Sequence, residues 1–423
     1  MNKTKEILVT SFAIFSMFFG AGNLILPPSL GVQAGETWWL VTLGFLTTAV
    51  VIPILAILAH ARLQGSLFDF AKKVSPIFSL IYCVIIYLIC VLLPAPRTAS
   101  VTHEMAIAPY LKMSPLITST IYFILVLVFA LNRSKVLNIL GKYLTPIIVV
   151  ILLAIIFIGL GISPENMKVS TFKTPLVSGV LEGYQTFDAI GGAVIGGVIV
   201  ISLKLKGFRS FGETKSVIRK SGLFAGLGLL IIYTGLIALG AHFNLTIPKD
   251  ASRTAILLQL STTTLGKIGA SFLSVLVALA CFTTAVGIIT GVADYFRGFF
   301  NNSKFAYRLT AVIGCLFGVL VGQFDVHFII DAAIPVLLVI YPVTIVLIIL
   351  NVLPDKWASK SIFQSVVYIA ILFSFIDVLN LYYQDTLVMQ SVTKHVPLAE
   401  SGLAWVLPSL VVLVFLSLKK TAK

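Results

Sequence analysis

Charge is scarce in this sequence. Only 11% of its 423 residues are Asp, Glu, Lys or Arg, against roughly 25% in an ordinary soluble domain. Hydrophobic residues make up 58% and the mean hydropathy is +1.06. That balance excludes a water-soluble globular protein and describes a chain that crosses a membrane many times. Cysteine is also rare. Cys83, Cys90, Cys281 and Cys315 sit in apolar runs without zinc spacing and read as small packing residues. The sequence lacks a long hydrophilic linker, a metal-ligand cluster, a nucleophile motif and a GxxxxGK[ST] phosphate loop. These absences argue against a membrane enzyme and an ATP-driven pump, and sparse mid-span charge argues against a channel lined by charged rings. The first apolar run has no small-residue cleavage site and meets Pro27-Pro28, so a cleaved leader is not expected.

What is present is a series of apolar runs long enough to span. Twelve are expected, at about 7–33, 38–60, 76–108, 115–131, 136–161, 176–203, 221–242, 268–296, 306–323, 327–350, 362–384 and 402–418. In the third, Pro94, Pro96, Arg97, His103 and Glu104 intervene, so residues 94–108 are either its continuation or an outer loop. Placing both termini in the cytoplasm puts all of the 30 lysines and arginines except Arg97, Lys112, Lys168, Lys173, Lys249, Arg253, Lys267 and Lys394 on the inner side. This is the positive-inside pattern. It explains the net charge of +14 by orientation and contact with anionic lipid rather than by nucleic acid. The expectation is one domain, 1–423, in the cytoplasmic membrane. The hydrophilic stretch 243–267 is expected to form a short helix over the outer face. His60, His242 and His327 fall near span ends, where solvated tips are expected.

Two spans carry interruptions that a helix built only to cross lipid would not have. In the first, Gly20-Ala21-Gly22-Asn23 is followed by Pro27-Pro28. Glycine costs about 1 kcal/mol and proline about 3 inside a helix. The expected form stops near Phe19, unwinds through Gly20 to Asn23 and resumes near Leu24. Backbone groups freed at membrane depth need partners, which are either a packing neighbour at a kink or a bound solute. In the sixth, Asp188 lies mid-span ahead of Gly191-Gly192. An intramembrane carboxylate points to function, and three roles are open to Asp188: holding a cation, accepting a proton, or capping freed amides. Gly192-xxx-Gly196 and Gly222-xxx-Gly226 read as helix-packing motifs. Paired interruptions at matching positions of two halves are the sequence mark of a transporter site. They divide the chain into repeats at about 7–161 and 176–350 with two additional helices in 362–418. An odd number of spans per repeat inverts one against the other. In the eighth span, Thr283 and Thr284 either bond back to carbonyls four residues earlier or offer oxygen to a small hard cation.

Three segments together resemble the branched-chain amino acid:cation symporters, within the amino acid–polyamine–organocation superfamily. They are Phe18-Phe19-Gly20-Ala21-Gly22-Asn23-Leu24, then Glu182-Gly183-Tyr184 with Thr186-Phe187-Asp188-Ala189, then Ala280-Cys281-Phe282-Thr283-Thr284-Ala285-Val286-Gly287. Pro96-Arg97-Thr98-Ala99 with Glu104 is similar to that family's third helix. The resemblance implies an all-α membrane protein of twelve transmembrane helices. The fold implied is the leucine-transporter type, five-plus-five inverted repeats with helices 1 and 6 broken. It implies that amides of Gly20, Ala21 and Gly22 meet the substrate carboxylate, with Asn23 as a ligand contact or a cap. Carbonyls of helix 1 and of Thr186, Phe187, Asp188 and Ala189 would meet the ammonium. Tyr184, Phe187 and Ile190, with Tyr87 opposite, would form the apolar pocket. A sodium ion would lie between carbonyls of Ser16, Phe19 and Ala280 and the hydroxyls of Thr283 and Thr284. Leucine, isoleucine and valine, which differ by about one methylene, would be poorly discriminated, so all three are expected substrates. No cofactor is expected beyond the co-transported ion. Asp188 keeps proton coupling open, and a proton-coupled transporter of other neutral amino acids is the alternative. Arg97 and Glu104, seven residues apart on one helical face, are expected to pair, to gate the site, or to cap a helix end.

Overall fold

Proline and serine mark where many of the helices begin. Proline suits a first turn, whose amides lack intrahelical partners, and it opens helices at Pro76, Pro94, Pro115 and Pro175. Side chains of Ser75, Ser252, Ser303 and Asp325 accept first-turn amides at 2.8–3.2 Å. The resulting structure, a computed structural model, describes residues 3–132, 135–162, 167–208, 210–243, 247–248 and 251–421. Of the basic residues behind the orientation count, Arg133, Arg209, Lys249 and Lys423 lie outside these.

In chain order the helices are α1 (Lys3–Phe18), α2 (Ala21–Ala34), α3 (Trp38–Leu46), α4 (Ile52–Leu63), α5 (Leu67–Ala71), α6 (Pro76–Leu92), α7 (Pro94–Thr102), α8 (Pro115–Asn132) and α9 (Lys135–Gly161). There follow α10 (Pro175–Tyr184), α11 (Asp188–Leu205), α12 (Phe211–His242), α13 (Arg253–Phe299), α14 (Lys304–Gly322), α15 (Val326–Val352), α16 (Lys360–Tyr383), α17 (Leu387–His395) and α18 (Val406–Thr421). Each of the twelve expected segments coincides with one helix or a joined pair. By length and composition alone, eight described helices can cross a membrane, or nine if the bent pair α10–α11 is one span. The difference arises because α1 and α18 have 16 residues each, because α2 runs on into α3 and α4 as Gly22–Leu63, and because the apolar stretch counted in α9 is only Pro146–Gly161. The third span continues through α7 and a π-turn to Ile107, so residues 94–107 are helix and not a loop. Within 243–267 the chain is helical from Arg253, where α13 starts, and it kinks at Gly266, where φ is +71°.

The apolar residues divide between an interior and a lipid face. Ile14, Leu24, Ile25, Tyr233 and Leu236 are buried at the centre, where the 32-residue α12 packs on α1, α2 and α4. Ile81, Ile85 and Leu88 on α6, and Leu372, Phe375 and Leu379 on α16, are exposed at helical spacing, as the hydrocarbon requires. Where helices approach most closely, glycine permits it. A Cβ on Gly192 of α11 would lie 2.9 Å from Ala56 and from the Pro53 carbonyl, and one on Gly196 2.5 Å from the His60 ring. Gly192-xxx-Gly196 is therefore the packing motif its spacing suggests; in Gly222-xxx-Gly226 the close contact is at Gly226, where a Cβ would lie 3.0 Å from Ile54, while Gly222 has ordinary clearance from Ile57 at 3.6 Å. His60 is not a solvated tip. It is fully buried, with ring nitrogens 2.7 Å from the Ala193 carbonyl and 3.1 Å from that of Gly65, and it fastens α4 to α11.

Candidate functional site

Two helix breaks face one cavity. In the first, the Gly20 amide turns back to the Phe18 carbonyl at 2.9 Å. Gly20 is extended and caps α2, and the Asn23 carboxamide oxygen reaches back to its amide at 3.4 Å. The helix consequently resumes at Ala21, so the unwound segment is Phe19–Gly20 and not Gly20 to Asn23. Since the Gly20 amide is used within the break, the donors left are the first-turn amides of Ala21, Gly22 and Asn23.

The second break, Gln185–Phe187, contains no glycine and lies ahead of Asp188; Gly191 and Gly192 are helical. The two halves of the span meet at 44°. Phe187 sits at φ +62°, ψ 12°, a left-handed conformation that costs roughly 1–2 kcal/mol for a residue with a side chain. Thr186 braces it: its hydroxyl donates to the Gly183 carbonyl at 2.8 Å and accepts the Asp188 amide at 3.2 Å.

The cavity between the breaks has a volume of about 460 Å³. Ser16, Gly20, Gly22 and Asn23 line it from α1 and α2, and Thr186, Phe187, Asp188 and Ile190 from the second break. Tyr87 and Arg97 close it from α6 and α7, and Thr283 and Thr284 from α13. Tyr184 is not brought there. It is buried behind the break, stacked on Tyr341 with ring centroids 4.3 Å apart. Phe19, Ala189 and Ala280 are buried just outside the lining.

Arg97 gives the cavity its charge. It is 3% exposed, donates to the Gln185 carbonyl at 2.7 Å and lies over the Phe187 ring at 5.2 Å. Its Nε has no partner. A Cβ on Gly22 would overlap the guanidinium, so glycine is what allows this approach. Arg97 does not pair with Glu104. That carboxylate accepts the Val326 amide at 2.9 Å and the Thr254 hydroxyl, tying the starts of α13 and α15 together. A bidentate Glu182–Arg253 ion pair, 2.7 and 3.1 Å, lies nearby. The cavity lining instead continues along Met17, Val194, Ile195 and Thr290, toward the end of the bundle where Glu6 meets Lys206.

Asp188, 4% exposed, faces the cavity but is held from behind. Asn23 Nδ2 donates to its Oδ2 at 2.6 Å, the Tyr233 hydroxyl lies at 3.4 Å, and Asn23 also bonds Tyr233. Asn23 thus caps and bridges at once. Tyr233 is absent from the expected site residues, and its mid-span position in α12 was the available signal, since a buried tyrosine hydroxyl needs a partner. On the opposite wall, a Cβ on Gly20 would lie 3.7–3.8 Å from the Thr284 methyl and hydroxyl, so the first break and Thr284 are adjacent. Thr283 donates to the Ala280 carbonyl at 2.9 Å. Among the described residues no group of three or more His, Cys, Asp or Glu is placed to hold a metal. A cation here would rely on hydroxyls and carbonyls, which suits a hard ion.

The family described as Branched-chain amino acid transport protein matches residues 3–423. The chain belongs to this family. The branched-chain amino acid permease BraB of Bacillus subtilis is 35% identical over 96% of this chain and 94% of its own length. The permease BrnQ of Salmonella typhimurium is 32% identical over 97% and 95%. Among solved structures, a Na+-coupled sialic acid symporter aligns with a TM-score of 0.61 at 13% identity, covering 98% of this chain and 90% of that one. MhsT in complex with L-phenylalanine aligns at 0.51 and 17%, covering 97% and 98%. These likenesses establish the leucine-transporter-type fold. The protein is a membrane transporter of that family and not an enzyme.

Proposed function

We propose that the protein is a sodium-coupled symporter that imports leucine, isoleucine and valine across the cytoplasmic membrane. The observation that carries this reading is the contact between Arg97 and Gly22. A guanidinium pressed against the N-terminus of α2 sets two positive ends together. Such a pair calls for an anion, and the substrate carboxylate supplies it, taken by Arg97 and the amides of Ala21 and Gly22. The ammonium lies toward Asp188 and the carbonyls at the end of α1. The two buried charges thus match a zwitterion. Phe187, Ile190 and Tyr87 receive the aliphatic side chain, whose burial contributes roughly 1.5–3 kcal/mol and where a polar group has no partner.

Sodium binds between the Ser16 and Phe19 carbonyls, the Ala280 carbonyl and the Thr283 and Thr284 hydroxyls. Its arrival replaces the Thr283–Ala280 bond and fixes the first break against α13, which orders the amides that take the carboxylate. The repeats are about 7–161 and 176–350, related by inversion, with both termini cytoplasmic. In that orientation the cavity opens inward, and Glu182–Arg253 with Glu104 closes the outer end. The release of α10 from Arg253 would open the outer side, with the second break as hinge.

Proteoliposomes test this. Labelled leucine should accumulate when sodium is higher outside, and unlabelled isoleucine and valine should compete. Uptake that is unchanged when potassium replaces sodium at constant pH, and that follows a proton gradient instead, would transfer the coupling to Asp188.

A further inference from the structure

A second cavity, of about 420 Å³, lies on the far side of α10, between it, α15 and α16. Three buried side-chain oxygens on its wall are short of partners. Asp377 is 2% exposed; its Oδ1 accepts the Ala404 amide at 3.0 Å, and its Oδ2 accepts nothing. Gln185 is 6% exposed with Oε1 unpartnered, and the buried Tyr184 hydroxyl has only the Trp405 indole N–H beside it. Buried polar atoms are nearly always satisfied, and a buried carboxylate oxygen left alone is among the costliest exceptions. Buried oxygens of a carboxyl, a carboxamide and a hydroxyl on one wall are a ligand set for a hard cation. Of the other carboxylates on the wall, Glu182 is neutralised by Arg253 at 2.7 Å and Glu400 is exposed, so Asp377 is the buried acid left to the ion, and this favours a monovalent one.

We propose that this cavity is a second cation site, holding an alkali ion through Asp377 Oδ2, Gln185 Oε1 and the Tyr184 hydroxyl. It shares no ligand with the sodium site between α1 and α13. It is connected to the substrate cavity through one residue: the Gln185 side chain faces the ion, while its main-chain carbonyl holds Arg97 at 2.7 Å. Occupancy on the outer side therefore fixes the hinge segment whose other face positions the carboxylate-binding arginine.

Equilibrium binding of radioactive sodium to the purified full-length protein, at constant pH and ionic strength, tests this without reference to transport. Thr284→Ala should retain a saturable component. Adding Asp377→Asn to that variant should weaken the component at least about tenfold, the lower end of what losing a supporting group costs a metal site. Tyr184→Phe, which keeps the ring on Tyr341, should weaken it by a smaller factor and serves where Asp377→Asn does not fold. If the residual binding is absent, or is indifferent to both substitutions while the pH profile alone moves, Asp377 carries a proton only and the proposal falls. If Thr284→Ala binds as wild type and Asp377→Asn abolishes binding, this site stands and the one between α1 and α13 falls.

Discussion

Gly22→Ala is a one-methyl change whose consequence can be worked through. The added carbon would lie 2.9 Å from Arg97 Cζ and closer still to one terminal nitrogen. The tip of an arginine ordinarily swings aside at small cost, but this one is pinned. It donates to the Gln185 carbonyl at 2.7 Å, rests on Phe187 and is 3% exposed. Moving it forfeits a charge-assisted hydrogen bond of about 1.5–3 kcal/mol and a ring contact of about 0.5–1; holding it forces overpacking of about 1–3. Either route reaches the substrate through the carboxylate, so roughly 1.5–3 kcal/mol of binding is at stake, or about 10- to 100-fold. The assay is leucine uptake by proteoliposomes with KM and kcat separated, beside binding of labelled leucine. The loss should fall on KM and Kd. Gly222→Ala, whose new methyl meets Ile57 at 3.6 Å, should leave both unchanged. A Gly22→Ala protein of normal abundance and unaltered KM would refute the placement of Arg97 against the α2 terminus as a binding feature.

Thr284→Ala should weaken the sodium dependence of uptake more than it lowers expression, and a wild-type sodium response removes Thr284 from the cation site. Gly179→Ala drives a methyl into the Val41 carbonyl and to 2.9 Å from the Phe45 amide, so α10 must part from α3 and stability should drop by at least about 1–3 kcal/mol, read as a lower melting temperature in detergent. Glu182→Gln removes the ion pair proposed to close the outer end, whose side chains are 16% and 23% exposed, and should speed the reaction of cavity-lining Cys90 with an impermeant thiol reagent added outside; an unchanged rate contradicts the clasp. The Ser66 amide, 2.9 Å away, holds the Asp69 carboxyl below its ordinary range. Its support of α5 is therefore complete above about pH 4 and lost only as pH falls through the lowered value, so hydrogen exchange over 66–71 should stay protected to that point and lose the dependence in Asp69→Asn.

The interrupted spans were legible because breaking a membrane helix takes residues that stand out in an apolar run, and Gly20 and Asp188 do. Their boundaries were less legible. Asn23 reads as part of an unwound segment, yet its side chain caps Gly20 and so shortens the break. The second break has no glycine, because Thr186 braces the turn and Phe187 takes the left-handed conformation itself; local preference points instead to Gly191-Gly192, of which Gly192 is explained by packing against α4. Arg97 and Glu104 share a spacing that invites pairing. Their partners are set by which helices meet at each end, the second break for one and α13 and α15 for the other, and spacing within one helix carries no such information. Tyr184 lies away from the substrate cavity for a related reason, since the turn leaves Tyr184 and Gln185 on one side and carries Thr186 and Phe187 to the other.

That division of sides has a physical consequence. A break that merely exposed backbone would be costly in a membrane. Here the Gln185 carbonyl is occupied by a buried cation, and the Asp188 carboxylate is held by Asn23 from the first break and Tyr233 from α12. Each break is completed by a side chain from another helix, and Asn23 joins the two directly. Movement of α10 or α1 must therefore disturb both breaks together. The proposed coupling of ion and substrate then needs no long pathway, because the carboxamide of Asn23 and the guanidinium of Arg97 already connect the two segments.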